Sequence, residues 1–281
     1  MRLGQVKWNG AVTAAIFDVC SARPIPDYTL TDLILRAEKE GDGLTHLAAG
    51  LASRHPVSAV PLIPLHPKEV WAAGATYASS AIARDAQLAG GNAYHQQSHA
   101  AHRPEFVFKG TSRVCVGPGQ AIGIRPDSTF TAPAPELAVV LGAKGRIIGY
   151  TLANDVTARD LEYENPFYMA QAKSYNASCA LGPVMVTADE IPDPHALEMS
   201  VHIHRRGEQI FQAQVSTSDL IRKLENLIEY LMRANPVPAG SVLLTGSGVM
   251  VHRDAALADG DSVTIRMHQL GELTNTAALL N

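Results

Sequence analysis

Apolar positions in this chain come in short runs, broken by glycine and proline at intervals too close for long helices. From residue 69 onward eight such runs stand out: V-W-A-A-G (70–74), F-V-F-K-G (106–110), E-L-A-V-V-L-G (136–142), R-I-I-G-Y-T-L-A (146–153), M-S-V-H-I-H (199–204), Q-I-F-Q-A-Q-V (209–215), S-V-L-L-T-G (241–246) and S-V-T-I-R-M (262–267). Runs of this length with little helix between them predict strands folded as a β-sandwich or barrel-like roll. One amphipathic stretch interrupts them: Ser218-Asp219 is positioned to cap a helix over 220–234, with Leu220, Leu224, Leu227, Ile228 and Leu231 on one face. The N-terminal segment reads differently. Asn9-Gly10 joins two short strands within 1–20, Thr29 opens a helix ending near Gly41, and a second helix follows over 44–53. The proline-punctuated segment 56–67 reads as a connector. The chain is therefore expected to be α+β, with a small N-terminal α/β domain (1–65) and a mostly β domain (66–281).

Composition narrows the classes. With 46% hydrophobic and 18% charged residues, the chain has enough apolar surface to build a core, unlike a disordered one. A formal net charge of −4 argues against nucleic acid as a partner. No apolar run approaches the roughly 18 residues of a membrane span, so no membrane partner is expected. The first ten residues lack the apolar core of a signal peptide. Cys20, Cys115 and Cys179, at wide spacing, show neither a disulfide framework nor a metal pattern, which fits a reducing cytoplasm.

The chemistry concentrates between residues 133 and 183. Glu136 and Asp155 are carboxylates embedded in apolar runs, where an unpaired charge would be costly. Surface placement is the commoner fate of an acidic residue. A buried pair needs a cation or a basic partner, and oxygen donors of this kind suit Mg²⁺ or another hard divalent ion such as Ca²⁺ or Mn²⁺. Lys109 ends the apolar run F-V-F-K and Lys173 stands in Q-A-K-S-Y-N; a lone lysine is usually a solvated surface residue, and one with a lowered pKa can shuttle a proton. Glu105 in R-P-E-F-V-F-K reads by itself as an edge-strand carboxylate after a proline. His95, His99 and His102 share the spacing H-x₃-H-x₂-H but lack H-E-x-x-H, so polar surface is preferred to a zinc site. The glycines at 117–120 and 245–248 open no G-x-G-x-x-G helix, so no nucleotide is implied.

The pieces P-A-P-E-L-A (133–138), N-D-V-T-A-R-D (154–160), E-N-P-F-Y-M-A-Q-A-K (164–173) and C-A-L-G-P (179–183) carry a resemblance. Over about residues 68–278 the chain resembles the fumarylacetoacetate hydrolase superfamily. Within it the chain is most similar to the 2-keto-3-deoxy-pentonate (arabonate or xylonate) dehydratase branch, through Pro133, Pro135, Arg159, Asp160, Glu162, Glu164, Asn165, Pro166, Tyr168, Gln171 and Lys173. The superfamily's E-x-E-L-A begins with a metal-ligating glutamate, and this chain has Ala134 there. Three readings of that alanine stand open: natural divergence with water or substrate taking the place, a ligand-removing substitution, or loss of activity. All three predict weakened metal affinity.

The resemblance implies a metal-dependent hydro-lyase that dehydrates a 2-keto-3-deoxy sugar acid, giving 2-oxoglutarate semialdehyde from a pentonate. Glu136 and Asp155 would hold the metal. Glu105 and Lys173 would move protons, and Ser80, Lys109, Arg159, Asn165 and Thr245 would contact a small-molecule keto acid. It also implies a homodimer, and a lid over 79–103 with Gly90-Gly91 at its centre. The superfamily's carbon–carbon hydrolases carry N-Y-x-x-H, whose histidine activates water. Here the segment is T-Y-A-S-S, with Ser80 in its place, and a serine without a base cannot deprotonate water near neutral pH. Dehydration is thus preferred. The alternatives are an acylpyruvate-type hydrolase, decarboxylase or isomerase, or an inactive protein of this fold.

Overall fold

Asn9 and Gly10 both adopt positive φ (48° and 84°), the backbone that a two-residue turn needs to match strand twist. They fold β1 (Arg2–Trp8) against β2 (Ala11–Phe17), and β3 (Ala22–Ile25) pairs with β2. The computed structural model describes residues 1–19, 21–87 and 94–281. Helix α1 (Leu30–Glu40) starts where Thr29 and Asp32 cap each other reciprocally, and stops at Gly41 with φ 74°. The shorter α2 (Leu44–Leu51) follows.

Next come β4 (Val70–Gly74), α3 (Ala78–Gln87), α4 (Tyr94–Ala100), β5 (Glu105–Gly110), β6 (Cys115–Val116), β7 (Ala121–Ile124) and β8 (Thr131–Ala132). The central segment holds β9 (Pro135–Leu141), β10 (Ile147–Asp155), β11 (Thr157–Ala158), α5 (Arg159–Glu164), α6 (Met169–Lys173) and β12 (Cys179–Thr187). The chain ends with β13 (Glu198–Arg205), β14 (Glu208–Ser216), α7 (Leu224–Met232), β15 (Ser241–Leu244), β16 (Ser262–Met267) and β17 (Gly271–Leu279).

The largest sheet has the order β3-β2-β1-β12-β10-β9-β15-β4-β5, with β6 also on β12, and a five-stranded sheet has the order β14-β13-β16-β17-β7. Every residue of β9 is buried, which explains the unbroken apolar run Leu137–Leu141 within it. Its side chains alternate between two cores, as the two-residue period of a strand requires. Leu137, Val139 and Leu141 join Val201, Ile203, Val263 and Ile265 of the second sheet. Ala138 and Val140 join Leu33, Ile34 and Leu47 of α1 and α2. The large sheet is therefore a middle layer, with N-terminal helices on one face and the smaller sheet on the other. The fold is mixed α/β and mostly sheet.

All eight expected strands are present within a residue or two, but one expected helix begins late. The N-terminal strands extend the large sheet, because β1 pairs with β12. The helix expected over 220–234 begins only at Leu224, and Ser218 lies in a short 3₁₀ turn. The cause is tertiary: Ile221 N–H donates to Thr76 O (3.1 Å) and Leu220 bridges Tyr77, which holds 220–221 extended. Helices α3 and α4 occupy much of 79–103, the segment for which the resemblance implies a lid, and Gly90-Gly91 lies outside the described residues. Among the described residues no helix is long and apolar enough to cross a membrane.

Candidate active site

Asp155 is the last residue of β10, and its side chain is only 2% exposed. Two ammonium groups flank it. Lys109 Nζ lies 2.6 Å from Oδ1, and Lys173 Nζ lies 2.5 Å from Oδ2. Burial alone would raise the Asp155 pKa, but the two lysines outweigh it and hold the carboxyl well below its usual range. Lys109 feels the opposite balance: complete burial lowers its pKa more than Asp155 raises it. Each lysine has a further anchor, Lys109 donating to Val156 O (2.9 Å) and Lys173 to Thr157 Oγ1 (3.0 Å). The short helix α6 delivers Lys173, while β5, at the edge of the same sheet, delivers Lys109.

Glu136 sits one strand away on β9, 2% exposed, and Oε2 accepts the Gly246 N–H at 2.6 Å. That loop follows β15, and Gly246 has φ 91°; a Cβ there would meet Thr76 Oγ1 at 2.0 Å. Glycine is therefore required where the backbone approaches Glu136. Glu105, at the start of β5, accepts from Ser98 Oγ of α4 (2.9 Å). Its carboxylate lies over Gly74, where a Cβ would come within 2.6 Å of it. A small enclosed cavity of about 10 Å³ is bordered by Glu105, Glu136, Asp155, Glu162 and Lys173, with Ala72, Ala73, Gly74 and Val107 completing its wall. That is space for about one water-sized sphere.

Five carboxylate or lysine side chains thus converge on one cavity, and four of them (Glu105, Glu136, Asp155, Lys173) are sequence candidates. Lys109 reaches the same centre through Asp155. Arg159 lies behind it, fully buried and ion-paired with Glu162 at 2.7 Å. Three candidates point elsewhere. Ser80 donates to Tyr77 O (3.1 Å), Thr245 donates to Leu137 O (2.9 Å), and Asn165 caps the following 3₁₀ turn by accepting from Phe167 N–H (2.9 Å). His99 bonds Ala75 O and His102 bonds the Tyr230 hydroxyl, so these two histidines serve different partners; the His95 side chain lies outside what the structure describes. Sequence reasoning assigned no role to Glu162, although its spacing of three from Arg159 on one helix was a usable signal. The loop holding Gly246 was marked by the candidate Thr245, but the contact of its N–H with Glu136 and the place of Gly74 had no such signal.

The donor set fits a hard divalent cation. Glu136 and Asp155 are buried oxygen ligands on one cavity, and Asp155 Oδ1 has Lys109 as an ion-pair contact but no donor hydrogen aligned on it. The fit is a lean one. Among the described residues no three His, Cys, Asp or Glu side chains converge in metal-holding geometry. Ala134 is buried beside Asp155, its carbonyl accepting the Asp155 N–H at 2.9 Å, and offers no carboxylate. Water must then complete the shell, which Mg²⁺ tolerates.

Known proteins resemble this chain in sequence and in overall fold. A 2-dehydro-3-deoxy-D-arabinonate dehydratase of Saccharolobus solfataricus is 45% identical over 217 residues, covering 75% of this chain and 72% of that protein. The solved structure of a 2-keto-3-deoxy-D-arabinonate dehydratase in its apo form superposes with TM-score 0.85 at 34% identity, over the whole of both chains. A structure of a 2-keto-3-deoxy-D-arabinonate dehydratase complexed with magnesium and 2,5-dioxopentanoate superposes with TM-score 0.82 at 35% identity, again over both full chains. The model of the fumarylacetoacetate (FAA) hydrolase C-terminal family matches residues 69–278, three quarters of the sequence, and the chain belongs to that family.

Proposed function

We propose that this protein is a metal-dependent hydro-lyase that removes water from a 2-keto-3-deoxy-pentonate and yields 2,5-dioxopentanoate, the semialdehyde of 2-oxoglutarate. The observation that carries this reading is the convergence of Glu105, Glu136, Asp155 and Lys173 on one buried cavity. The relative named as a dehydratase and the magnesium–dioxopentanoate complex support the same substrate class.

Glu136 and Asp155 would hold Mg²⁺, which when bound supplies Lewis-acid polarisation of the substrate's 2-keto carboxylate end. The chain's own residues handle the protons. Glu105 is close enough to the cavity to take the C3 proton, and its anchor on Ser98 fixes the carboxylate's orientation. Lys173 carries ammonium hydrogens at the same cavity and gives one to the departing C4 hydroxyl, which leaves as water. The C3–C4 double bond then migrates to C4–C5, and the enol formed there tautomerises to the C5 aldehyde. Lys109, fixed at 2.6 Å from Asp155, offsets negative charge that accumulates during proton removal. Arg159, held by Glu162, presents a buried cation toward the same centre. Ser80, Asn165 and Thr245 are proposed to contact substrate only after rearrangement, since their polar atoms are now turned to backbone partners.

Ligand pockets usually enclose about 300–1,000 Å³. Substrate entry therefore requires α4, whose Ser98 bonds Glu105, to withdraw, which is the role proposed for the 79–103 segment as a lid. A two-domain layout, 1–65 and 66–281, is proposed on similar grounds, because the family match starts at residue 69 and the cavity lining lies after residue 66. The two stacked sheets support a β-sandwich roll in the larger part. We also propose a homodimer, and a cytoplasmic setting supported by the free thiols of Cys115 and Cys179.

Position 134 provides the test. Ala134→Glu should restore a carboxylate beside Asp155 and add about 1–3 kcal/mol of metal binding, the size of a charge-assisted contact. That corresponds to roughly 5- to 150-fold tighter Mg²⁺. Turnover should rise with it, and Asp155→Asn should abolish both. Titration calorimetry that finds no tightening in Ala134→Glu would show that position 134 does not face the metal.

A further inference from the structure

Strands β6 and β12 run parallel, and their register sets Cys115 directly opposite Cys179. The row continues across the sheet, because Cys179 is in turn the partner of Asp155 on β10. Both cysteines pack into the core beneath α1 and α2, and both are free thiols. Neighbouring strands lie about 4.8 Å apart, inside the Cα separation of roughly 4.4–6.8 Å that a disulfide spans. Contact with the Cys115 thiol, ahead of burial, pushes the Cys179 thiol well above its usual range. The pair is asymmetric in access: Cys179 is fully buried, whereas Cys115 is half-buried.

We propose that Cys115 and Cys179 are an oxidisable dithiol that closes to a disulfide under hydroperoxide and thereby alters the site next to it. The peroxide oxygen is transferred first to the accessible partner, so that Cys115–SH and ROOH give Cys115–SOH and ROH. The Cys179 thiol then displaces hydroxide from that sulfenic acid, forming the S–S bond and releasing water. Two thiols are oxidised by two electrons, one peroxide is reduced, and an exogenous thiol reverses the step.

Two paths connect the bridge to the chemistry. On one side, Cys179 is the register partner of Asp155, the residue both lysines grip. On the other, only five residues separate Cys115 from Lys109. That segment is tightly turned: a 3₁₀ turn spans Ser112–Val114, and the Thr111 hydroxyl accepts the Arg113 N–H (3.4 Å). At Gly110 (φ 143°) a Cβ would meet the Val114 side chain at 3.0 Å. Drawing Cys115 onto Cys179 therefore shifts the turn, and with it the Lys109 ammonium that stands 2.6 Å from Asp155. The bland alternative is a pair of small apolar residues filling a core.

The test uses the reduced full-length protein, treated with hydrogen peroxide, alkylated and peptide-mapped without reduction. The expected result is one cross-linked peptide pair holding Cys115 and Cys179, lighter than the reduced pair by two hydrogen masses and opened by dithiothreitol. Cys20 resides in a different peptide and serves as the internal control. Keto-acid turnover should fall roughly fivefold with the linkage, the size of coupling carried through neighbouring contacts, and recover on reduction. The Cys115→Ser chain should keep its turnover under the same peroxide. Both cysteines alkylated after treatment would overturn the proposal, and a linked peptide with unchanged turnover would overturn the coupling. The linkage is read by mass, so it stands or falls separately from the assigned activity.

Discussion

Asp155 gains its low pKa from two lysines against the pull of burial, and that balance sets a pH dependence. A carboxyl depressed in the folded state contributes stability that is fully present above its unfolded value, near 3.9. The contribution is lost as pH falls through the still lower folded value. Asp155→Asn should flatten this acid limb. It also leaves the Lys109 ammonium buried without its counter-charge, which costs about 3–5 kcal/mol. Urea denaturation at pH 7 and at pH 3 would measure both effects, the gap between variant and parent narrowing at the lower pH. Glu136 and Asp155 were legible in the sequence because carboxylates in apolar runs demand partners, and Lys173 was legible through its place in the resembled family's motif. Their actual partners were less so. That Asp155 faces two lysines, rather than only a metal, depends on β5 and α6 meeting over β10, which no local spacing encodes. The Gly246 N–H reaches Glu136 from 110 residues away and left no trace in the pattern.

The loop after β15 and the start of α1 illustrate what elements contribute. Gly246→Ala places a methyl group into Thr76 Oγ1 and turns the N–H away from Glu136. Loss of a hydrogen bond to a charged group costs about 1.5–3 kcal/mol, so metal affinity measured by calorimetry should weaken alongside a lower melting temperature. Thr29→Ala removes one half of a capping box far from the cavity. It should cost about 0.5–2 kcal/mol of stability and leave turnover unchanged, as paired melting and rate measurements would reveal. The α1 boundaries could be read from Thr29, Asp32 and Gly41 because caps are local. The start of α7 could not, since the backbone partners that extend 220–221 belong to Thr76 and Tyr77. The strands β12 and β17 were likewise missed: C-A-L-G-P-V-M-V-T carries Gly and Pro within it, and G-E-L-T-N-T-A-A-L is more polar than a buried run.

At the scale of the whole molecule, β12 shares one edge between β1 and β6, and the N-terminal helices close the core behind β9. A chain beginning at residue 66 would expose that edge and the apolar face under α1 and α2, and should accumulate as insoluble protein. Recovery of a soluble, active 66–281 fragment would contradict the role given to the first segment. Light scattering at micromolar concentration should report twice the 30.0 kDa chain mass if the homodimer forms. The central claim is that the carboxylate–lysine cavity dehydrates a 2-keto-3-deoxy-pentonate with a divalent cation. Its most direct test follows the substrate by proton NMR with chelator-stripped protein, before and after Mg²⁺ is returned. The account predicts no change in chelator and, once Mg²⁺ is added, the aldehyde signal of 2,5-dioxopentanoate growing as substrate disappears. No aldehyde at saturating Mg²⁺, from this chain and from Ala134→Glu alike, would contradict it.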